Sequence, residues 1–245
     1  MIIETKCYGD TIFFDEESHK FWKMDGENKV KIESVTKFTG IIDKSQALIP
    51  WAVKLFREFL NNKLPQSPIT AEDIYEGSKQ HTIKKKEAGN TGTQIHDLVE
   101  KWIKKEKIDF TELPDQVRNG FDAFLKFQSE HNFQWIESEK IVYSLAHNYA
   151  GILDAIAIDG EGKKVLVDFK SSNALYPEYV LQAAGYQQAV EEMAEHFCDY
   201  KLLIRFGKED GEFEAKKFTE NLEDKQGFLH ALELTRAMAR LKASF

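Results

Sequence analysis

Cysteine is nearly absent: Cys7 and Cys198 are the only two in 245 residues. That excludes a disulfide scaffold and any four-cysteine zinc or iron–sulfur site built by this chain alone. Glycine (14) and proline (5) are sparse, which excludes collagen-like and low-complexity chains. No apolar run approaches the roughly 18 residues that span a bilayer. Met1 to Lys6 carry neither the basic region nor the apolar core of a signal peptide. The expected setting is therefore reducing and cytoplasmic, without a membrane. Positive charge is also in deficit, with 33 Lys and Arg against 41 Asp and Glu, a net of −8. This disfavours a protein that coats nucleic acid through a bulk basic surface, but not an enzyme that confines positive charge to one groove.

Hydrophobic residues make up 42% of the chain and charged residues 30%, enough for one folded domain with a real core. The first forty residues read as strands, with Thr11–Phe14 and His19–Met24 flanking a polar turn. Ser34 to Ile42 is ambiguous. Helical spacing runs from Ser45 to about Leu64, with Pro50 read into its first turn. Thr70-Ala-Glu-Asp73 is a capping box for a helix from Ala71, and a separate helix is expected from Thr91 or Thr93. Another helix spans Pro114 to His131. The period then changes from 3.6 to 2: Trp135–Ser144, Tyr149–Ile158 and Lys163–Lys170 read as consecutive strands. A helix over Glu178–Glu195, strands Lys201–Phe206 and Phe213–Phe218, and a helix over Asn221–Leu241 complete the chain. The order predicts a mixed α/β (α+β) layer structure, a central mixed sheet flanked by helices. It reads as one domain over 1–245, with an N-terminal elaboration of strands and helices (1–88) before a core (89–245).

The chemistry concentrates in Tyr149–Ser172. Side chains alternate along a strand, so Asp168 and Lys170 share a face. If Asp159 pairs with Lys163 across Gly160, Glu161 and Gly162, the last glycine takes the left-handed position of a three-residue loop. Asp154 then lies opposite Asp168, with β-carbons about 4.5–5.5 Å apart. Ile152, Ile156 and Leu166 would share the carboxylate face, and Leu153, Val165, Val167 and Phe169 the other. Two carboxylates facing each other in apolar surroundings repel and resist ionisation. A Mg²⁺-like ion resolves the conflict with hard oxygen ligands, and Lys170 would flank it. The plain alternative is a buried Asp–Lys–Asp network that only ties strands together. Two i, i+4 pairs add to the pattern. His96 and Glu100 can reach one metal from one helix face, or form an ordinary surface pair; Gln182 and Tyr186 follow across small residues.

Taken in order, Gly92-Thr93-x-x-His96-x-x-x-Glu100, Glu139, Gly151-x-x-Asp154, Asp168-x-Lys170-Ser171 and Gln182-x-x-x-Tyr186 resemble the PD-(D/E)XK nuclease superfamily, in its RecB-type and lambda-exonuclease-like, phage-type branch. Leu153 stands where the family's proline precedes the first Asp, and the chain cannot carry the iron–sulfur cluster of some relatives. The resemblance implies a restriction-endonuclease-like core and Mg²⁺- or Mn²⁺-dependent hydrolysis of DNA. It implies metal ligation by Asp154, Asp168, the Phe169 carbonyl and His96. Lys170 would position the attacking water, Gln182 and Tyr186 would orient Lys170 or the scissile phosphate, and Glu100 and Glu139 would stand in a second tier, supporting the ligands or holding a second metal. DNA contacts are expected at Lys84, Lys85, Lys86, Ser171 and Ser172. A phage or recombination-repair exonuclease is the leading reading. A non-catalytic nucleic-acid-binding or adaptor module on the same fold and a site-specific endonuclease stay open, as do an oligomer and, by analogy, a single-strand annealing partner.

Overall fold

The computed structural model describes residues 1–64 and 67–245. Four strands open the chain: β1 (Ile2–Cys7), β2 (Asp10–Asp15), β3 (Lys20–Asp25) and β4 (Asn28–Ser34). Helices α1 (Val35–Thr39), α2 (Ser45–Lys63), α3 (Ala71–Ile103) and α4 (Asp115–His131) follow. Then come β5 (Gln134–Ser144), β6 (Tyr149–Ile158), β7 (Lys164–Lys170), α5 (Pro177–Glu192), β8 (Tyr200–Phe206), β9 (Phe213–Phe218) and α6 (Asn221–Lys242). The fold is mixed α/β. One nine-stranded sheet runs β1-β2-β3-β4-β6-β7-β8-β9, with β5 paired to β6. The N-terminal strands join it through a short parallel contact of β4 with β6, Glu33 opposite Tyr149 and Ser34 opposite Ala150. The helix between β7 and β8 makes their pairing parallel, as a crossover connection does.

Two units are compact in themselves: residues 1–41 with 95–245, and residues 42–94. In the first, both faces of the central strands are covered. Ile95, Leu98 and Val99 of α3 and Phe121 and Phe124 of α4 pack on Val165, Val167 and Phe169. Val180, Ala184 and Tyr186 of α5 and Phe228 of α6 pack on Leu153, Ile156 and Leu166. The inner face of the N-terminal sheet, Cys7, Ile12, Phe14, Phe21 and Ile32, closes over Ile141, Tyr143 and Ala150. Both cysteines are free and buried.

In the second unit, α2 and α3 meet at Gly77, where a β-carbon would lie 2.9 Å from the Phe56 ring. The capping box forms as expected: Asp73 N donates to Thr70 Oγ1 (3.2 Å) and Thr70 N to Asp73 Oδ2 (2.9 Å). The separate helix expected from Thr91 does not exist, because α3 runs unbroken from Ala71 to Ile103. Glycines in that stretch lower helix stability, yet no proline stops it. Pro50 lies inside α2 rather than in its first turn, since the helix begins at Ser45. Lys84, Lys85 and Lys86, expected just ahead of the His96 helix, are exposed residues of that same helix. No described helix is long and apolar enough to cross a membrane.

Candidate metal centre and active site

The β6–β7 hairpin has the expected register. Ala155 pairs with Val167 and Ile158 with Lys164. Asp159 N donates to the Lys163 carbonyl (2.9 Å) and Gly162 N to the Asp159 carbonyl (3.0 Å). Gly162 takes φ +81°, a conformation that costs glycine little. The paired ladder stops at Ala155 and Val167, one step short of Asp154 and Asp168.

The expected alternation fails at that step. Ile152 packs with the N-terminal sheet and Leu153 beneath α5, whereas Ile156 also packs beneath α5. An irregularity therefore lies between Leu153 and Ile156, and Asp154 occupies it. Its Oδ2 accepts the Phe169 N–H (2.6 Å), while its Oδ1 lies 3.8 Å from His96 Nδ1. The two acids are not simple same-face partners across a regular ladder.

On β5, Ser138 pairs with Ala155 and Lys140 with Leu153, so Glu139 sits at the level of Asp154. Glu139 has φ +49°, strained for a residue with a β-carbon, and the strand carries a register shift between Trp135 and Glu137. The result brings one ligand atom each of His96, Glu139 and Asp154 within 4.8 Å of one another. The Phe169 backbone, close to the His96 imidazole, favours its charged form. Glu139 thus stands with His96 and Asp154, and Asp168 lies outside this group of three. Glu100, on the His96 face of α3, is ion-paired with Lys104.

Asp168 is fully buried and ion-paired with Lys170, itself 14% exposed. Neither Asp168 oxygen has a hydrogen-bond partner of regular geometry among the described residues. Lys170 Nζ also lies 4.9 Å from the centroid of the Tyr179 ring. Gln182 Nε2 donates to the Tyr186 hydroxyl (2.8 Å). The Tyr186 ring packs against Gly151, where a β-carbon would be 2.5 Å from it, so the glycine of the Gly-x-x-Asp motif makes room for this ring. Ser171 is half-buried, and Ser172 Oγ donates to the Ala174 carbonyl (2.7 Å). Tyr179 escaped the sequence reading, although it lies three residues before Gln182 on the same helix face.

The electrostatics show an excess of negative charge. Burial, then Asp154 and the acids of α3, push Glu139 up to about 9. Burial also raises Asp154, against the pull of Lys170 and the Phe169 N–H. Burial pushes Asp168 up to about 6, with Lys170 opposing and Asp154 adding. His96 is lowered to about 4 by burial and Lys170, which leaves a neutral imidazole free to ligate at pH 7. Burial works against the charge on Lys170, but Asp168 and Asp154 outweigh it and raise its pKa. The residues fit a hard divalent cation: carboxylate oxygen donors, one neutral imidazole, and a fully buried Asp168 carboxylate with only the Lys170 ammonium beside it among the described residues.

No protein-family model and no curated protein matches the chain. Solved structures of an alkaline exonuclease from Laribacter hongkongensis, LHK-Exo, do. One is 13% identical, covering 86% of this chain and 93% of that chain with a TM-score of 0.37. The other, in complex with dAMP, is 12% identical, covering 87% and 94% with a TM-score of 0.39.

Proposed function

We propose that the chain is a metal-dependent deoxyribonuclease, an exonuclease of phage or recombination-repair type that uses Mg²⁺ or Mn²⁺. The observation that carries this reading is the fully buried Asp168, whose ion-pair partner is Lys170, next to a His96–Glu139–Asp154 cluster whose ligand atoms lie within 4.8 Å of one another. Both oxygens of Asp168 lack a hydrogen-bond partner of regular geometry among the described residues, against one oxygen of Asp224 beside Lys201, so the Asp168 carboxylate is the less satisfied of the two. His96, Asp154, Asp168 and the Phe169 carbonyl would hold the cation, with Glu139 promoted from the second tier to their number. When bound, such an ion lowers the pKa of water and stabilises charge on a phosphate. Lys170, held by Asp168 and the Tyr179 ring, presents an ammonium where that charge develops. Tyr186, oriented by Gln182, lines the same acids and can hydrogen-bond the phosphate or the water. Lys84, Lys85, Lys86, Ser171 and Ser172 are proposed DNA contacts.

The test is digestion of end-labelled linear and closed circular DNA with Mg²⁺, with EDTA, and with Lys170→Ala. Linear DNA should be degraded and circles spared, with cleavage abolished by EDTA and by the substitution. Cleavage of circles would make the enzyme an endonuclease. Cleavage that survives EDTA would overturn the reading altogether.

A further inference from the structure

The N-terminal sheet has an outward face that the site does not use. Cys7, Ile12, Phe14, Phe21 and Ile32 point inward to the core, so the alternate residues point out. An antiparallel sheet with one solvated face normally presents polar side chains there. This one presents Phe13 on β2 and Trp22 on β3, direct cross-strand partners whose rings stack at 5.5 Å with 10° between their planes. Lys31 is the partner of Trp22 on β4, and Lys29 Nζ lies 3.5 Å from the centroid of the Trp22 ring. Trp22 is only 8% exposed, with Phe13 stacked against its ring and the Lys29 ammonium over it. A cleft of about 470 Å³ opens here, lined among others by Trp22, Lys20, Lys29 and Lys31, with Asp15 and Ser18 at its end. All three lysines are exposed.

We infer that this face is a binding platform for single-stranded DNA, separate from the catalytic residues. An aromatic ring covered by the side chain of an exposed lysine becomes a stacking surface when that side chain turns away. A base that stacks on Trp22 displaces Lys29, and the freed ammonium can meet the strand's own phosphate. Stacking on a sheet surface requires unpaired bases, which excludes an intact duplex as the occupant. The lysines supply the backbone attraction that a chain of net charge −8 lacks overall. The choice of DNA rests on the nuclease reading; the platform itself does not.

The test uses the whole protein in EDTA, where cleavage plays no part. Anisotropy of a fluorescein-labelled oligothymidylate is titrated with the parent and with Lys29→Gln/Lys31→Gln, both exposed positions. Losing two phosphate contacts should weaken binding about tenfold at 0.2 M salt and flatten the log–log salt slope by about 1.4. The same strand should quench tryptophan fluorescence, and Trp22→Phe should remove that quench while keeping a ring in place. An unchanged affinity and slope in the double variant, equal binding of a duplex, or preference for oligouridylate would each overturn the proposal. Loss of strand binding with intact Lys170-dependent cleavage would leave the nuclease reading standing. Strand binding without any cleavage would remove that reading alone.

Discussion

Two buried lysines on adjacent, parallel strands make an instructive pair. Lys201 on β8 is fully buried and meets Asp224 (3.0 Å), the Asn221 amide oxygen (2.8 Å) and the Gln187 amide oxygen (3.4 Å). One amine faces one acid, and neutral amides complete its surroundings. Burial accordingly lowers its pKa, with Asp224 opposing. Lys170 on β7 faces Asp168, Asp154 and the Tyr179 ring, with no amide oxygen bonded to it among the described residues, and its pKa rises despite burial. Gln187 and Asn221 tie α5 and α6 to β8, so the first cluster is a structural fastening. In the second, acids outnumber the neighbouring ammonium, an imbalance that protonation relieves in the metal-free protein and that a bound cation would also relieve. Buried lysine–acid pairs in one sheet can thus differ in purpose, and the balance of charge distinguishes them.

The largest expected effect breaks the fastening. Lys201→Met should cost ~3–5 kcal/mol in denaturant unfolding, because a buried pair loses one partner, while cleavage per folded molecule stays near the parent. Lys170→Ala should do the reverse, lowering the cleavage rate roughly 10²–10³-fold with little loss of fold in circular dichroism. If Lys201→Met abolishes cleavage by folded protein, the division between the two clusters is wrong.

A pH series sharpens the contrast. Glu139 and Asp168 have folded pKa values raised to about 9 and about 6. A raised carboxyl binds its proton more tightly in the folded state. Its stabilisation is therefore complete below the unfolded pKa and is lost as pH rises through the folded one. Metal-free protein should lose about 2 kcal/mol or more between pH 5 and 8 by urea titration. Mg²⁺ should flatten that slope, and the Lys201 cluster should not contribute to it. A flat metal-free profile would mean that the acids are not strained. The smallest effect is Glu139→Gln, which should raise metal-free stability at pH 8 by at least about 1 kcal/mol and cancel the stabilisation by Mg²⁺. A destabilised metal-free variant would contradict this.

Much of this arrangement is legible in the residues. The glycines at 160 and 162 fix the hairpin register, and Thr70 with Asp73 marks where α3 begins. The change of period at residue 134 separates helix from sheet. What escapes are features set by distant partners. Nothing local announces the positive φ of Glu139 or the break in alternation at Asp154, because both depend on strands meeting across the sheet. That is why Glu139 reads as a second-tier acid in the sequence and stands beside His96 and Asp154 in the structure. The strands β1 and β4 are similarly quiet, and the parallel joint of β4 to β6 links segments more than a hundred residues apart. Pro50 shows the opposite failure: a strong local signal was given a place its helix does not follow, since α2 begins five residues earlier.

Manganese binding, followed by electron paramagnetic resonance in parent and Asp154→Asn protein, tests the central claim most directly. The account predicts a bound Mn²⁺ in the parent that Mg²⁺ displaces and that the variant loses. Equal binding by both proteins, or no bound ion in the parent, would contradict it.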